Sequence, residues 1–414
     1  MYVLTDFHAL GMDGAAVWLW QALREVGDWH ADPSCAARGG RRDFEGAEPG
    51  IRASLAALDR LLRDGEPDAA TREAVAFACL NLATWAEERG AYATAVGFLH
   101  AAEAVCPDNP HYAYDLGRVA RKMARYEEAE AWLKWAHFVA RRLKRWEVAT
   151  LSLSGLGNLH RQRGNLPRAR RFHEVTRRMA AHRGLRTLEG DALYDLCVIS
   201  FAMGDEAHAL KYAGGALGAY GPGHGQVCRL ANDVAWYWMD SSGNFEHAAS
   251  VFTILLDYVW EPSYRVLLVA NLARAAAGAG WRDVFEGMWI EAWGAIRNQS
   301  AREGHAAALI QLARGAGSVG DWERASLAAA EALAVGRNRK ESEMVLLAEA
   351  ILEALTDDVL LDERIRHVFK DRERTLRSGM TTAAGDLVSQ FGIAMRARRD
   401  NAPESPTRAL VWPD

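Results

Sequence analysis

The sequence predicts an all-α chain of stacked antiparallel helical hairpins. Three observations carry that expectation. One short turn is written seven times: Gly90-Ala91-Tyr92-Ala93-Thr94-Ala95, Ala124-Arg125-Tyr126-Glu127-Glu128-Ala129, Gly164-Asn165-Leu166-Pro167-Arg168-Ala169, Gly204-Asp205-Glu206-Ala207-His208-Ala209, Gly243-Asn244-Phe245-Glu246-His247-Ala248, Gly320-Asp321-Trp322-Glu323-Arg324-Ala325, and a degraded copy at Ala279-Gly280-Trp281-Arg282-Asp283-Val284. The copies recur roughly every 34 to 40 residues, the period of helical-hairpin repeats. Ala, Leu, Arg and Glu dominate, and alternating runs of Val, Ile and Thr are missing, which favours helix over strand. The chain has 414 residues, 50% of them hydrophobic, ample for a continuous core.

Each position of the turn has a physical task. Gly ends the first helix because it takes the left-handed conformation without steric cost. Asp or Asn after it, in four copies, is expected to cap the second helix. The Tyr, Phe, Leu or Trp that follows is expected to wedge between the two helices. The Ala three residues on lets them approach closely. Pro107 stops the helix that ends at Ala104-Val105-Cys106.

The segment Ser154-Gly155-Leu156-Gly157-Asn158-Leu159-His160-Arg161-Gln162-Arg163-Gly164-Asn165-Leu166 resembles the first helix and turn of the tetratricopeptide repeat (TPR) family. Ala113-Tyr114-Asp115-Leu116-Gly117 and Asn81-Leu82-Ala83 are similar first-helix signatures. The resemblance covers about residues 74 to 335. It implies a right-handed superhelical solenoid of about seven or eight hairpins, in which each repeat packs on its neighbours. It also implies that first helices line a concave groove that binds a peptide or protein segment, with no cofactor. Most intervals are nearer 40 residues than the family's roughly 34, so helices or loops are longer than standard. Longer repeats of this kind are similar to those of bacterial regulatory and peptide-sensing members.

Before the repeats, residues 14–31 read as a helix, Asp32–Gly50 as a loop rich in Gly, Pro and Arg, and Ile51–Arg63 as an amphipathic helix. Residues 1–73 are thus an N-terminal cap or degenerate repeat, and the long loop does not fit a helix-turn-helix. The glycines from Gly214 to Gly225 lack the Lys-Ser/Thr pair of a phosphate loop and read as a fraying helix end and an inter-repeat loop. Beyond the solenoid at 74–335, residues 336–400 read as C-terminal capping helices (Glu341–Leu355, Leu360–Ser378, Thr382–Arg399). Residues 401–414 read as a disordered tail.

The net charge is −5, but it is unevenly spread. Between Arg118 and Arg186 about 18 Lys and Arg stand against about 5 Glu. A field of this density concentrates anionic partners. Helical spacing puts Arg118, Arg121 and Lys122 on one face of a first helix, after His111 and Tyr114 on the same stripe. Asn158, Arg161 and Gln162 are the equivalent face of the next repeat. These eight residues are the expected partner site: a basic patch in the groove for an acidic peptide or a free carboxylate. As exposed charges, the three basic residues are expected to contribute little to folding. Arg141, Arg142, Arg170 and Arg171 fall on second helices and read as solvated convex charge. Asp191, Asp195, Asp233 and Asp240 lie on later first-helix faces, so the groove is expected to run from basic to acidic. The other reading is a nucleic-acid surface built from residues 118–186 with Tyr114, Trp132, Trp135 and Trp146 as stacking rings.

No catalytic constellation stands out. The His residues lack the spacing of a helical zinc site, and Glu206/His208 and Glu246/His247 lie in turns. His30 and Cys35 beside Arg41 and Arg42 lack a third, orienting group. Five scattered Cys fit a reducing compartment. No secretory pattern and no run of membrane-spanning length is present, so the cytoplasm is the expected location and a membrane is not an expected partner. The sequence therefore describes a non-enzymatic interaction scaffold or sensor without a cofactor.

Overall fold

A computed structural model describes residues 13–33, 44, 47–64, 68–259, 262–298, 304–339, 341–356 and 378–400. Among these residues all regular structure is helical. Helices α1 (Asp13–Ala31) and α2 (Pro49–Asp64) come first. Seven hairpins follow: α3 (Ala69–Glu88) with α4 (Tyr92–Val105), α5 (Pro110–Lys122) with α6 (Tyr126–Arg142), α7 (Trp146–Gln162) with α8 (Leu166–Arg183), and α9 (Arg186–Ala202) with α10 (Glu206–Tyr220). Next are α11 (Gln226–Tyr237), which runs on into a π-helical segment, Trp238–Ser242, with α12 (Phe245–Leu256); then α13 (Pro262–Gly278) with α14 (Arg282–Arg297), and α15 (His305–Ser318) with α16 (Trp322–Arg339). Helices α17 (Ser342–Thr356) and α18 (Ser378–Asp400) close the chain. Two compact units are present, Met1–Ala192 and Leu193–Asp414.

All seven copies of the turn have a left-handed residue where the sequence places it. The φ values are 70° at Gly90, 57° at Ala124, 73° at Gly164, 74° at Gly204, 67° at Gly243, 77° at Gly280 and 79° at Gly320. The N–H one residue later donates back to a carbonyl near the end of the preceding helix, as Asn165 does to His160 at 2.9 Å and Asp205 to Ser200 at 2.8 Å. This bond satisfies an acceptor that the helix end leaves open. In the Gly243 copy the π-helical segment adds one residue, and Asn244 reaches Trp238 at 2.9 Å.

The connections between hairpins in the middle of the chain use the same device. Lys144 (φ 57°) joins α6 to α7, and Gly184 (φ 69°) joins α8 to α9. From Ala124 to Gly204 a left-handed residue therefore falls at every twentieth position. The long repeat comes from long helices rather than long loops: α6 and α7 have 17 residues each and α8 has 18, whereas α5 in the shorter repeat has 13.

Three of the four expected caps form. Asn165, Asp205 and Asp321 accept from the N–H groups of Arg168 (3.1 Å), His208 (3.3 Å) and Arg324 (3.0 Å). Asn244 does not cap its helix; its Oδ1 faces His247 Nδ1 at 2.6 Å. The wedge residue is half-buried as Tyr92, Tyr126, Leu166 and Phe245, but Trp281 and Trp322 stay 39% and 41% exposed, contrary to the sequence expectation. The small residue of the turn is fully buried in the six complete copies, as Ala95, Ala129, Ala169, Ala209, Ala248 and Ala325.

Helix contacts in the first unit close over glycine. A Cβ on Gly157 would lie 2.4 Å from Nε2 of the buried His173 ring, which α8 lays across α7. Leu133 of α6 occupies the space over Gly117 of α5 and Gly155 of α7, so one side chain seats two first helices. Helix α1 packs on α2 and α4, with Trp29, Ile51, Leu55, Leu82 and Phe98 in the shared core. Phe44 meets Trp18 edge-on at 5.3 Å. Pro49 and Gly50, expected in that loop, begin α2.

In the second unit the glycines at 214, 215 and 218 lie inside α10 rather than in a fraying end; the loop starts at Gly221. Helix α17 packs on α15 and α16. The final helix does not extend the array as an end cap. It returns to lie against α10, α11 and α12, with Leu387, Phe391 and Met395 buried beside Leu217, Phe252 and Leu255. Gly223 N–H donates to the Ala394 carbonyl at 3.1 Å. Most of the Asp32–Gly50 loop, the charged stretch 360–377 and the tail 401–414 lie outside the described residues.

The left-handed turn makes a two-sided prediction. A Cβ at Gly164 meets nothing within 4 Å, so Gly164→Val should cost only backbone strain, about 1–2 kcal/mol. Lys144 already carries that strain, so Lys144→Gly should stabilise by about 0.5–1 kcal/mol. Chemical denaturation of both variants checks this; a destabilised Lys144→Gly would contradict it.

Candidate functional site

Among the first helices of the first unit, α3 and α5 share an ion cluster and α7 packs on α5, so their polar residues are taken together as a first-helix strip. Its ionic centre is Glu87, near the end of α3. Arg118 of α5 clasps it with two nitrogens, Nη1 on Oε1 and Nη2 on Oε2 at 2.8 Å. Lys122 Nζ lies 3.3 Å from the same carboxylate. Arg118 Nε also donates to Asp115 Oδ1 at 3.1 Å, one turn back on α5. Burial alone would raise the Glu87 carboxyl, but Arg118 and Lys122 outweigh it and hold the group below its ordinary value. Asp115 goes the other way: burial pushes its carboxyl up despite Arg118.

The expected basic patch is therefore not an open field. Arg118 and Lys122 are half-buried and committed to an acid from the preceding repeat. Removing them would strand Glu87, so they cannot be neutral to folding, as exposed charges would be. Arg121 is half-buried on the same strip, where its charge and that of Asp191 on α9 both reach the Tyr114 hydroxyl. Tyr114 packs its ring against Ala140, Val148 and Ala149, and burial raises its hydroxyl. His111 is exposed in the first turn of α5, its backbone N–H capped by Asn109 Oδ1 at 3.2 Å. Gln162 is exposed at the end of α7.

Forty residues beyond Arg118 and Arg121 stand Asn158 and Arg161 of α7. Each has a side-chain atom that is buried yet has no hydrogen-bond partner among the described residues: Asn158 Oδ1 and Arg161 Nε. Glu87 and Asp115 are the acids paired with Arg118 that the basic-patch reading missed. Asp115 was visible as an acid three residues before Arg118, on the same helical face.

The second unit carries its own polar network on first helices. Arg274 of α13 is 1% exposed. It donates to Gln311 Oε1 at 2.9 Å and to Asp240 Oδ1 at 3.1 Å, and Arg314 reaches the same Asp240 oxygen at 2.7 Å. Burial opposes the Asp240 charge, but the two arginines hold its carboxyl below the ordinary range. Asp233 accepts the Tyr194 hydroxyl, with Arg229 over the Tyr194 ring at 5.8 Å. The later first helices are therefore not simply acidic, because Asp240 is matched by cations that the sequence reading did not place beside it.

The rings proposed to stack on nucleic acid are dispersed in their roles. Trp132 meets His100 edge-on at 5.4 Å, and Trp146 is covered by Arg183 at 3.6 Å. Trp135 is 44% exposed and stacks on Phe138. Among the described residues no group of three or more His, Cys, Asp or Glu is placed to hold a metal ion. His208 faces Asp205 at 2.9 Å. Cys79, Cys197 and Cys228 are buried, and burial pushes the Cys79 thiol up to about 12. Cys35, Arg41 and Arg42 lie outside the described residues. No described helix is long and apolar enough to cross a membrane.

The hairpin array is TPR-like. No protein-family model and no curated protein sequence matches the chain. Among solved structures it is similar to a tetratricopeptide repeat protein from Parabacteroides merdae, at 16% identity and a TM-score of 0.44 over 66% of this chain and 98% of that one. It is similar to Pseudomonas aeruginosa pilF, at 15% identity and a TM-score of 0.41 over 56% of this chain and 96% of that one. It is also similar to a Rap protein complexed with competence and sporulation factor, at 11% identity and a TM-score of 0.44 over 80% of this chain and 99% of that one.

The Glu87 cluster predicts a pH signature. Its folded carboxyl is held below the unfolded value, so its stabilisation is complete above the unfolded pKa and is lost as pH falls through the folded one. Glu87→Gln should cost about 1–3 kcal/mol at pH 7. The gap to the parent should narrow as pH drops below about 4. Denaturant midpoints across pH check this; a gap independent of pH would contradict it.

Proposed function

We propose that this protein is a non-catalytic interaction scaffold whose first-helix strip in the first unit binds an extended peptide or protein segment. One observation carries the reading. On the face of α7 that repeats the register of Arg118 and Arg121, Asn158 Oδ1 and Arg161 Nε are desolvated without an internal partner. Such groups cost about 1–3 kcal/mol each unless satisfied, and an incoming main chain supplies what they lack. The Asn158 amide pairs with a peptide N–H, and Arg161 takes a carboxylate of the segment, an acidic side chain or a free C-terminus. Arg121 and Gln162 flank this pair. Arg118 and Lys122, locked by Glu87, hold the wall of the strip and set its charge. Tyr114 and His111 border it towards the start of α5.

Capture of partners from the native cell tests the reading. The Asn158→Ala/Arg161→Ala variant should fold as the parent does and lose the partner that the parent retains. Retention of the same partner by the double variant would contradict the site. Arg118→Ala/Lys122→Ala should lower the melting temperature, because it strands Glu87, and so separates the wall from the binding pair.

A further inference from the structure

A second group of basic residues is exposed on α8. Arg168, Arg171 and Arg178 are exposed on α8, and none has an ion-pair partner among the described residues. Their spacing, with Val175 between them, puts them on one face of the helix. The nearby Arg170 differs, since its Nε lies 3.3 Å from Glu174. Beneath this face is an open cavity of about 610 Å³, lined by Leu153 of α7 and by Pro167, Arg168, Arg171, Phe172 and Val175 of α8. Val175 is 39% exposed at its edge. The volume is within the range of ligand pockets, about 300–1,000 Å³.

We propose that this outer face of α8 is a docking site for an acidic protein segment that carries a bulky apolar residue. The apolar side chain enters the cavity against Leu153, Phe172 and Val175. Carboxylates on either side engage Arg168, Arg171 and Arg178 through paired charge-assisted hydrogen bonds. Charge complementarity selects the acidic partner, and the apolar lining selects a protein segment over nucleic acid. A nucleic-acid surface needs free rings for bases to stack on. The ring here, Phe172, is already stacked on His160 at 5.3 Å. Glu130, paired with Lys134 at 2.7 Å, lies within the field of Arg168 and offsets part of that one charge. The site shares no residue with the first-helix strip and stands whether or not that strip binds a peptide.

Fluorescence polarisation with a short labelled peptide of Glu and Asp around one central Leu tests the proposal on the full chain. The peptide should bind saturably, and exchanging its Leu for Ser should weaken binding about tenfold or more. Arg168→Glu/Arg171→Glu should weaken the Leu peptide at least about tenfold. Val175→Trp, which fills the cavity mouth and keeps the charges, should erase the preference for Leu over Ser. Asn158→Ala/Arg161→Ala should leave binding unchanged, which separates this face from the strip. Melting curves of these surface variants should match the parent. Equal binding of the Leu and Ser peptides would overturn the proposal. So would tighter, competitive binding of a single-stranded oligonucleotide, which would make the face a nucleic-acid surface. Absence of saturable binding below about 1 mM would also overturn it.

Discussion

A residue of positive φ, followed by an N–H that reaches back into the helix just finished, closes each of the seven hairpins among the described residues. Because the turn is the same in every copy but the one at Gly243, the helices on either side keep a fixed phase. From Ala124 to Gly204 this gives identical steps, and residues forty apart fall on the same face. Asn158 thus repeats Arg118, and Arg161 repeats Arg121. The buried Ala of the six complete turns and the glycines under Leu133 and His173 let neighbouring helices close to contact at that phase. Where the turn admits an extra residue, at the π-helical segment, the chain carries Asp240 to its meeting with Arg274 and Arg314.

That fixed phase sorts charge. Desolvating an ion without a partner is expensive, so cations facing the helix layer need acids delivered to them. Glu87 arrives from the preceding first helix and Asp115 from one turn back on the same helix. On the outer face of α8 water does the solvating, and Arg168, Arg171 and Arg178 need no internal acid. A region with a large formal excess of positive charge therefore holds Arg118 and Lys122 paired on the inside and Arg168, Arg171 and Arg178 exposed on α8. On the proposed reading the two faces take different chemistry: hydrogen bonding to a main chain at the strip, carboxylate pairing around an apolar cavity on α8.

The turn was legible because it is local: glycine, a capping side chain and alanine act within six residues of one another. The first-helix faces were legible because helical spacing gives them directly. The state of Arg118 and Lys122 was not, because Glu87 precedes the basic stretch and belongs to another helix. Counting charge along the chain separates it from cations that it touches in space. The same holds for Asp240, whose two arginines lie one and two hairpins downstream. The return of α18 onto α10–α12 leaves no trace in the repeat, since its Leu387, Phe391 and Met395 would read equally well as a terminal cap. Of the α8 face, spacing gives Arg171 only as solvated charge, because a cavity between two helices has no sequence signature.

The division between the ion-paired Arg118 and Arg274 and the exposed arginines of α8 is open to a single direct measurement. Phenylglyoxal modifies accessible guanidinium groups, and mass spectrometry of the native protein over time gives a rate for each arginine. Arg168, Arg171 and Arg178 should react early and together, while Arg118 and Arg274 stay protected until the protein unfolds. Early modification of Arg118, at the rate of the α8 arginines, would contradict the division.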